Sequence, residues 1–103
     1  MENVIAAGLI LPEVTRTVAE EHLEELTKLI ESAGAAVVAN ILAKRQAPDA
    51  AMYVGKGKAE EIRQLAEKHE ASLIVFDDDL SPAQVRNLEK HMGPKIRVID
   101  RSA

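Results

Sequence analysis

Two stretches of the chain carry residue types that handle phosphate. One is Gly55-Lys56-Gly57-Lys58, running into Glu60 and Glu61. The other is Asp77-Asp78-Asp79, directly behind the apolar run Leu73-Ile74-Val75-Phe76. Glycines let backbone N–H groups form a concave nest, a helix start adds partial positive charge, and lysines add full charges. Together with carboxylates at a strand end, this outlines a magnesium–nucleotide site. The spacing does not support it. A P-loop needs Gly, four residues, then Gly-Lys-Ser/Thr. Counting back from Gly57-Lys58 puts Met52 where the first glycine belongs, and Ala59 stands where the metal-binding hydroxyl belongs. By spacing alone, the loop reads first as a glycine-rich turn with solvated lysines, followed by acids that suit a helix dipole. A weak phosphate contact is the alternative. Asp77, Asp78 and Asp79 read first as a solvated turn near a helix start, with magnesium binding second.

The remaining polar residues offer little chemistry. His22, His69 and His91 fall on three different helical segments, and no HExxH or Cys/His cluster exists. Ser72, Ser81 and Ser102 sit in no nucleophile-elbow context. No catalytic residue and no metal site is assigned. With 103 residues the chain has the size of one domain, expected to span residues 1–103. Aromatics make up 2% of it, Tyr53 and Phe76, so the core must be mainly aliphatic and no base-stacking platform is available. A net charge of −4 disfavours a general nucleic-acid binder but leaves room for a local basic patch. The chain has no cysteine, which excludes disulfides and thiolate metal sites. It shows no signal-peptide pattern and no apolar run of about 20 residues for a membrane span. The expectation is a cytoplasmic monomer.

The elements that must position the two stretches follow from periodicity. Residues 4–10 read as a strand ended by Pro12. Thr17-Val18-Ala19-Glu20 reads as a capping box opening a helix to about Ala33, with Ala19, Leu23, Leu26, Ile30 and Ala33 inward and Gly34 just past its end. Residues 35–43 form a near-continuous apolar strand, read as buried on both faces. A polar connection with Pro48-Asp49 leads to the Gly-Lys loop and a helix over about residues 58–69, with Ala59, Ile62, Leu65, Ala66 and His69 inward. Residues 73–76 are the third strand. Ser81-Pro82-Ala83-Gln84 is a second capping box, with proline at the first helical position, and its helix runs to Met92. Residues 96–99 are a fourth strand that Arg97 marks as an edge. The order β-α-β-α-β-α-β predicts an α/β fold: an open, mostly parallel four-stranded sheet with helices on both faces and strand order 2-1-3-4. Ligands of such sheets bind beyond the carboxyl ends of the strands, where the 55–58 loop, Lys44, Arg45, Asp77, Asp78, Asp79 and Arg101 should gather.

In order along the chain stand Arg45-Gln46, Pro48-Asp49, Tyr53-Val54-Gly55-Lys56-Gly57-Lys58, Val75-Phe76-Asp77-Asp78-Asp79-Leu80-Ser81-Pro82-Ala83-Gln84 and Val98-Ile99-Asp100-Arg101-Ser102. This set resembles the N-terminal domain of the HflX family of ribosome-associated GTPases over nearly the whole chain. Val85 stands where that family commonly has a second Gln. The resemblance implies a translation factor of the TRAFAC GTPase class that binds the large ribosomal subunit and its rRNA, and in some members splits stalled or idle ribosomes under stress. It also implies a helical segment and a G domain, which would hold the GTP and magnesium. These 103 residues contain no Walker A motif and no Asn-Lys-x-Asp, so no cofactor is expected in this chain and it is expected to be inactive alone, as an excised domain or fragment. Gly55, Lys56, Gly57 and Lys58 are then candidate phosphate or RNA contacts. Arg45, Asp77, Asp78, Asp79 and Arg101 are candidate contacts to the protein's own G domain, because a rim of mixed charge suits a movable domain interface. Two other readings stay open: a small nucleotide-binding domain built on Lys56, Lys58 and Asp77, and a purely structural or designed α/β domain.

Overall fold

The computed structural model describes residues 1–102, and Ala103, the last residue of the expected domain, lies outside the described residues. The strands are β1 (Asn3–Ile10), β2 (Ala36–Lys44), β3 (Leu73–Phe76) and β4 (Arg97–Asp100). The helices are α1 (Arg16–Ser32), α2 (Lys56–Lys68) and α3 (Pro82–Met92). All strand pairs are parallel and the order is β2-β1-β3-β4, as the alternation of elements predicts.

Side chains alternate across a strand, and β1 uses both faces. Val4 and Ala6 point to a cluster with Leu23 and Leu26 of α1 and with Leu73 and Val75. Ile5 and Ala7 point the other way, to Ala59, Ile62 and Ala66 of α2, Leu88 and Met92 of α3, and Ile74 and Phe76. Thus α1 covers one face and α2 with α3 the other. Burying each of the larger side chains stabilises the fold by about 1.5–3 kcal/mol.

Three expectations are corrected. The cap of α1 is Thr15, whose Oγ1 accepts from the Val18 amide at 3.2 Å, and Thr17 lies inside the first turn. A turn closed by Val14 N–H donating to the Leu11 carbonyl delivers residue 15 in extended conformation, which is what an N-cap needs. Ala33 is the exposed C-cap rather than an inward residue, and Gly34 follows it at φ +96° as expected. Strand β2, at the edge where the predicted order puts it, is only partly buried rather than buried on both faces, with Asn40 exposed. Its apolar run reflects helices packed on both of its faces, α1 and α2, while its outer edge stays open.

Candidate functional site at the carboxyl edge of the sheet

Helix α2 starts at Lys56, two residues earlier than its periodicity predicts. Lys56 and Lys58 therefore occupy its first turn, and Glu60 and Glu61 lie beyond it; no acid stands in that turn. Positive charge at a helix N-terminus opposes the macrodipole, so these lysines are placed against the local field. Lys58 Nζ is offset by Glu61 at 2.9 Å. Lys56 is exposed and has no carboxylate within ion-pair distance among the described residues.

The N-cap is Gly55, at φ +86° and ψ 158°, a region essentially reserved for glycine. It offers no side chain to the first amides of α2. A Cβ on Gly55 would overlap Nη1 of Arg45, so the guanidinium lies against the bare backbone. That guanidinium is fixed by two carbonyls: Nε donates to Ala47 at 3.1 Å and Nη1 to Val54 at 3.4 Å. Arg45 is thus a strut beneath the loop. Gly57 differs, because a Cβ there would meet nothing within 4 Å.

The segment leading into the loop is held from three sides. The Asp49 carboxylate accepts from the amides of Ala51 and Met52, at 3.2 and 2.7 Å. Helix α3 reaches over with Gln84 Nε2 donating to the Asp49 carbonyl at 2.8 Å and Asn87 Nδ2 to the Ala51 carbonyl at 3.0 Å. Tyr53 adopts φ +65°, rare for a bulky residue, and is 2% exposed. Its ring meets Phe76 edge-on at 5.6 Å and its hydroxyl donates to Asp78 Oδ2 at 3.0 Å. Burial, and then the neighbouring Asp78, push this phenol above its ordinary value, which keeps it a donor. Tyr53, Gln84 and Asn87 carry the loop; spacing marks Gln84 only as a capping-box residue of α3 and gives Tyr53 and Asn87 no role. A lone aromatic before a glycine pair is the one signal the sequence offers for Tyr53.

The three aspartates diverge. Asp77 has a side chain 8% exposed, with Oδ1 3.0 Å from Arg101 Nη1. This is an ion-pair distance, but the oxygen receives no directed hydrogen bond. Burial raises the Asp77 pKa, and Arg101 opposes the rise without cancelling it. Asp78 turns to Tyr53, with Oδ1 accepting from the Asp79 amide at 2.9 Å. Asp79 is exposed. Asp100, in the neighbouring strand end, accepts from the Leu80 amide at 2.8 Å and from Ser102, and these bonds hold its pKa below the usual value. Among the described residues, no three His, Asp or Glu side chains assemble into a metal-holding group. Of the sequence-predicted residues, then, the structure joins Arg45 to Gly55 and Asp77 to Arg101, and links the two stretches through Tyr53 and Asp78.

The geometry also tests a bound GTP with magnesium. Ala59, in the position of the metal-binding hydroxyl, is 0% exposed and packed in the core under α2. Met52, in the position of the wrapping glycine, has its amide taken by Asp49. These residues do not fit a magnesium–nucleotide site. Among the described residues, no helix is long and apolar enough to cross a membrane.

Residues 20–103 match the family described as GTP-binding GTPase N-terminal. GTPase HflX of Escherichia coli (strain K12) is 44% identical over 82 residues, covering 80% of this chain and 19% of that protein. GTPase HflX of Magnetococcus marinus is 38% identical over 101 residues, covering 98% of this chain and 23% of that protein. The chain thus spans about a fifth of the length of these curated relatives. A crystal structure of SsGBP in complex with GDP superimposes with a TM-score of 0.73 at 20% identity, over 98% of this chain and 26% of that one, and shares the fold. With a family match over most of its length and relatives above the identity at which a family is secure, this chain belongs to the N-terminal domain family of the HflX GTPases.

Proposed function

We propose that this chain is a positioning and regulatory domain of an HflX-type GTPase, docking on the large ribosomal subunit and setting the activity of a G domain outside these residues. The observation that carries the reading is the first turn of α2. It is built at a cost, with lysines against the helix dipole and a strained glycine cap, and it does not fit Mg-nucleotide chemistry. A surface with that charge and free amides suits a phosphate of an RNA backbone, so Gly55, Lys56, Gly57 and Lys58 are assigned to the rRNA contact. Asp78, Asp79 and Arg101 are assigned to the face toward the G domain. Arg45 and Asp77 are tied inside the domain, so reversing their charge would test folding as much as docking.

The test needs a protein that carries both this domain and its G domain. Deleting residues 1–103 should leave GTP binding intact, change basal or subunit-stimulated hydrolysis, and lower affinity for large subunits. Lys56→Glu should lower subunit affinity without unfolding the domain. Hydrolysis and subunit affinity that both ignore the deletion would make the domain a passive appendage.

A further inference from the structure

A cleft of about 430 Å³ opens between the turn that follows β1 and the end of β2. Three basic side chains line it, Arg16, Lys44 and Arg45, and no acidic one does. The other clefts described along the surface mix the two signs: Arg16 with Glu20 and Glu24, Lys90 and Arg97 with Glu89, and Arg63 and Lys95 with Glu67 and Glu70. In a chain of net charge −4, a cavity whose charged lining residues are all cationic is a local departure. Arg16 and Lys44 have no carboxylate within ion-pair distance among the described residues. Arg45 has Nε and Nη1 occupied by backbone carbonyls, which fixes its plane and leaves Nη2 without an acceptor among the described residues. Preorganised in this way, a guanidinium loses little freedom when it binds an oxyanion.

The cleft does not stand apart from the start of α2. Arg45 lines it and also abuts Gly55, the residue that caps α2 directly before Lys56. We propose that this cleft is a phosphate site, seating a phosphate of an RNA backbone, or of a free polyphosphate, against Arg16, Lys44 and Arg45. Arginine forks and lysine point charges match tetrahedral phosphate oxygens. The lining holds no aromatic ring, so recognition goes to phosphate rather than to a base. The proposal rests on the reading above only for the RNA source of that phosphate.

The experiment measures fluorescence anisotropy of a labelled mixed-sequence RNA hairpin titrated with the 103-residue chain, with sodium tripolyphosphate as competitor. Arg16 and Lys44 are exposed, so Arg16→Ala/Lys44→Ala should melt like the parent by circular dichroism. Arg45 is left in place because it carries the loop. Hairpin affinity should fall at least about tenfold in the double variant, and the slope of log affinity against log salt should drop by about two, one per lost phosphate contact. Lys68→Ala/Lys95→Ala, away from the cleft, should change neither quantity. A double variant with parental affinity and slope overturns the site, as does a parent that binds neither hairpin nor tripolyphosphate. Binding of tripolyphosphate alone, lost in the double variant, supports the phosphate site and overturns its RNA occupant. A longer protein whose hydrolysis responds to this domain, while the chain binds neither probe, overturns the cleft and leaves the regulatory reading standing.

Discussion

Helices α2 and α3 start at the same edge of the sheet by opposite means. The start of α3 is self-contained: Ser81 Oγ accepts from the Gln84 amide at 3.1 Å and Gln84 Oε1 accepts from the Ser81 amide at 2.8 Å, with Pro82 at the first position. The start of α2 has no side-chain cap, a glycine in a region other residues avoid, and two lysines in its first turn. It is held from behind, by Arg45, Asp49, Tyr53, Gln84 and Asn87. A capped start spends its amides on its own side chains. A start braced from outside keeps its first amides free of side-chain oxygens, and so available to an anion.

The largest effect should come from breaking the brace where it is least tolerant. Gly55→Ala forces a Cβ into both a forbidden backbone region and the Arg45 guanidinium. Destabilisation should reach the upper end of about 1–3 kcal/mol from backbone strain alone, read as a lower urea midpoint at unchanged slope. Gly57→Ala is the contrast: it meets open space inside a helix, and should stabilise by about 0.4–1 kcal/mol through a less flexible unfolded chain. Equal effects at the two glycines would mean that α2 starts elsewhere.

Gln84 joins the two helix starts, since its oxygen caps α3 and its amide nitrogen holds the Asp49 carbonyl. Gln84→Ala should cost about 2 kcal/mol, two hydrogen bonds at about 1 kcal/mol each. Ser81→Ala, which touches only the cap, should cost about 1 kcal/mol. Gln84→Glu keeps the capping oxygen and loses the donor. Amide exchange should then quicken at Ala51 and Met52 while the first turn of α3 stays protected. Unchanged exchange in the 49–53 segment would show that α3 does not support the loop.

The same contrast explains what could be read from the residues in advance. The Ser81 box lies within four residues, so its pattern, and with it the span of α3, is visible in the sequence. The sheet was also legible, because apolar runs separated by amphipathic segments leave few right-handed parallel arrangements. The brace was not legible. Gln84 and Asn87 lie 35 and 36 residues from the backbone groups they hold, and Tyr53 lies 25 from Asp78. Local patterns carry no trace of such pairs. Two errors have a local cause: Thr15 and Thr17 both precede an apolar period, and only the 11–14 turn decides between them; β2 reads as fully buried because helices cover both faces of a strand whose outer edge is open. The basic side chains at 44 and 45 were placed at the strand ends, but a cleft between two turns is a property of packing.

The smallest effect concerns two acids, Glu60 within α2 and Asp77 at the end of β3, and its sign separates them. Glu60 is held down to about 2, first by hydrogen bonds from Arg63 and Gln64, with His91 Nε2 also 2.9 Å from its carboxylate. A lowered carboxylate adds stability above its unfolded value of 4.5, and that stability is lost as pH falls toward about 2. Asp77 is raised, chiefly by burial, so the sign reverses. The folded state binds its proton more tightly than the unfolded chain does. Stability linked to Asp77 is therefore fully present below its unfolded value of 3.8 and declines as pH rises through the higher folded value. Asp77→Asn removes this titration while keeping shape. Urea midpoints taken from pH 3 to pH 7 should show the variant gaining on the parent as pH rises, and levelling off once Asp77 is ionised in the folded parent. The opposite trend, with the parent gaining on the variant as pH rises, would mean that Arg101 at 3.0 Å outweighs the burial of the carboxylate, and that this side of the edge is held by its ion pair just as the α2 side is held by its brace.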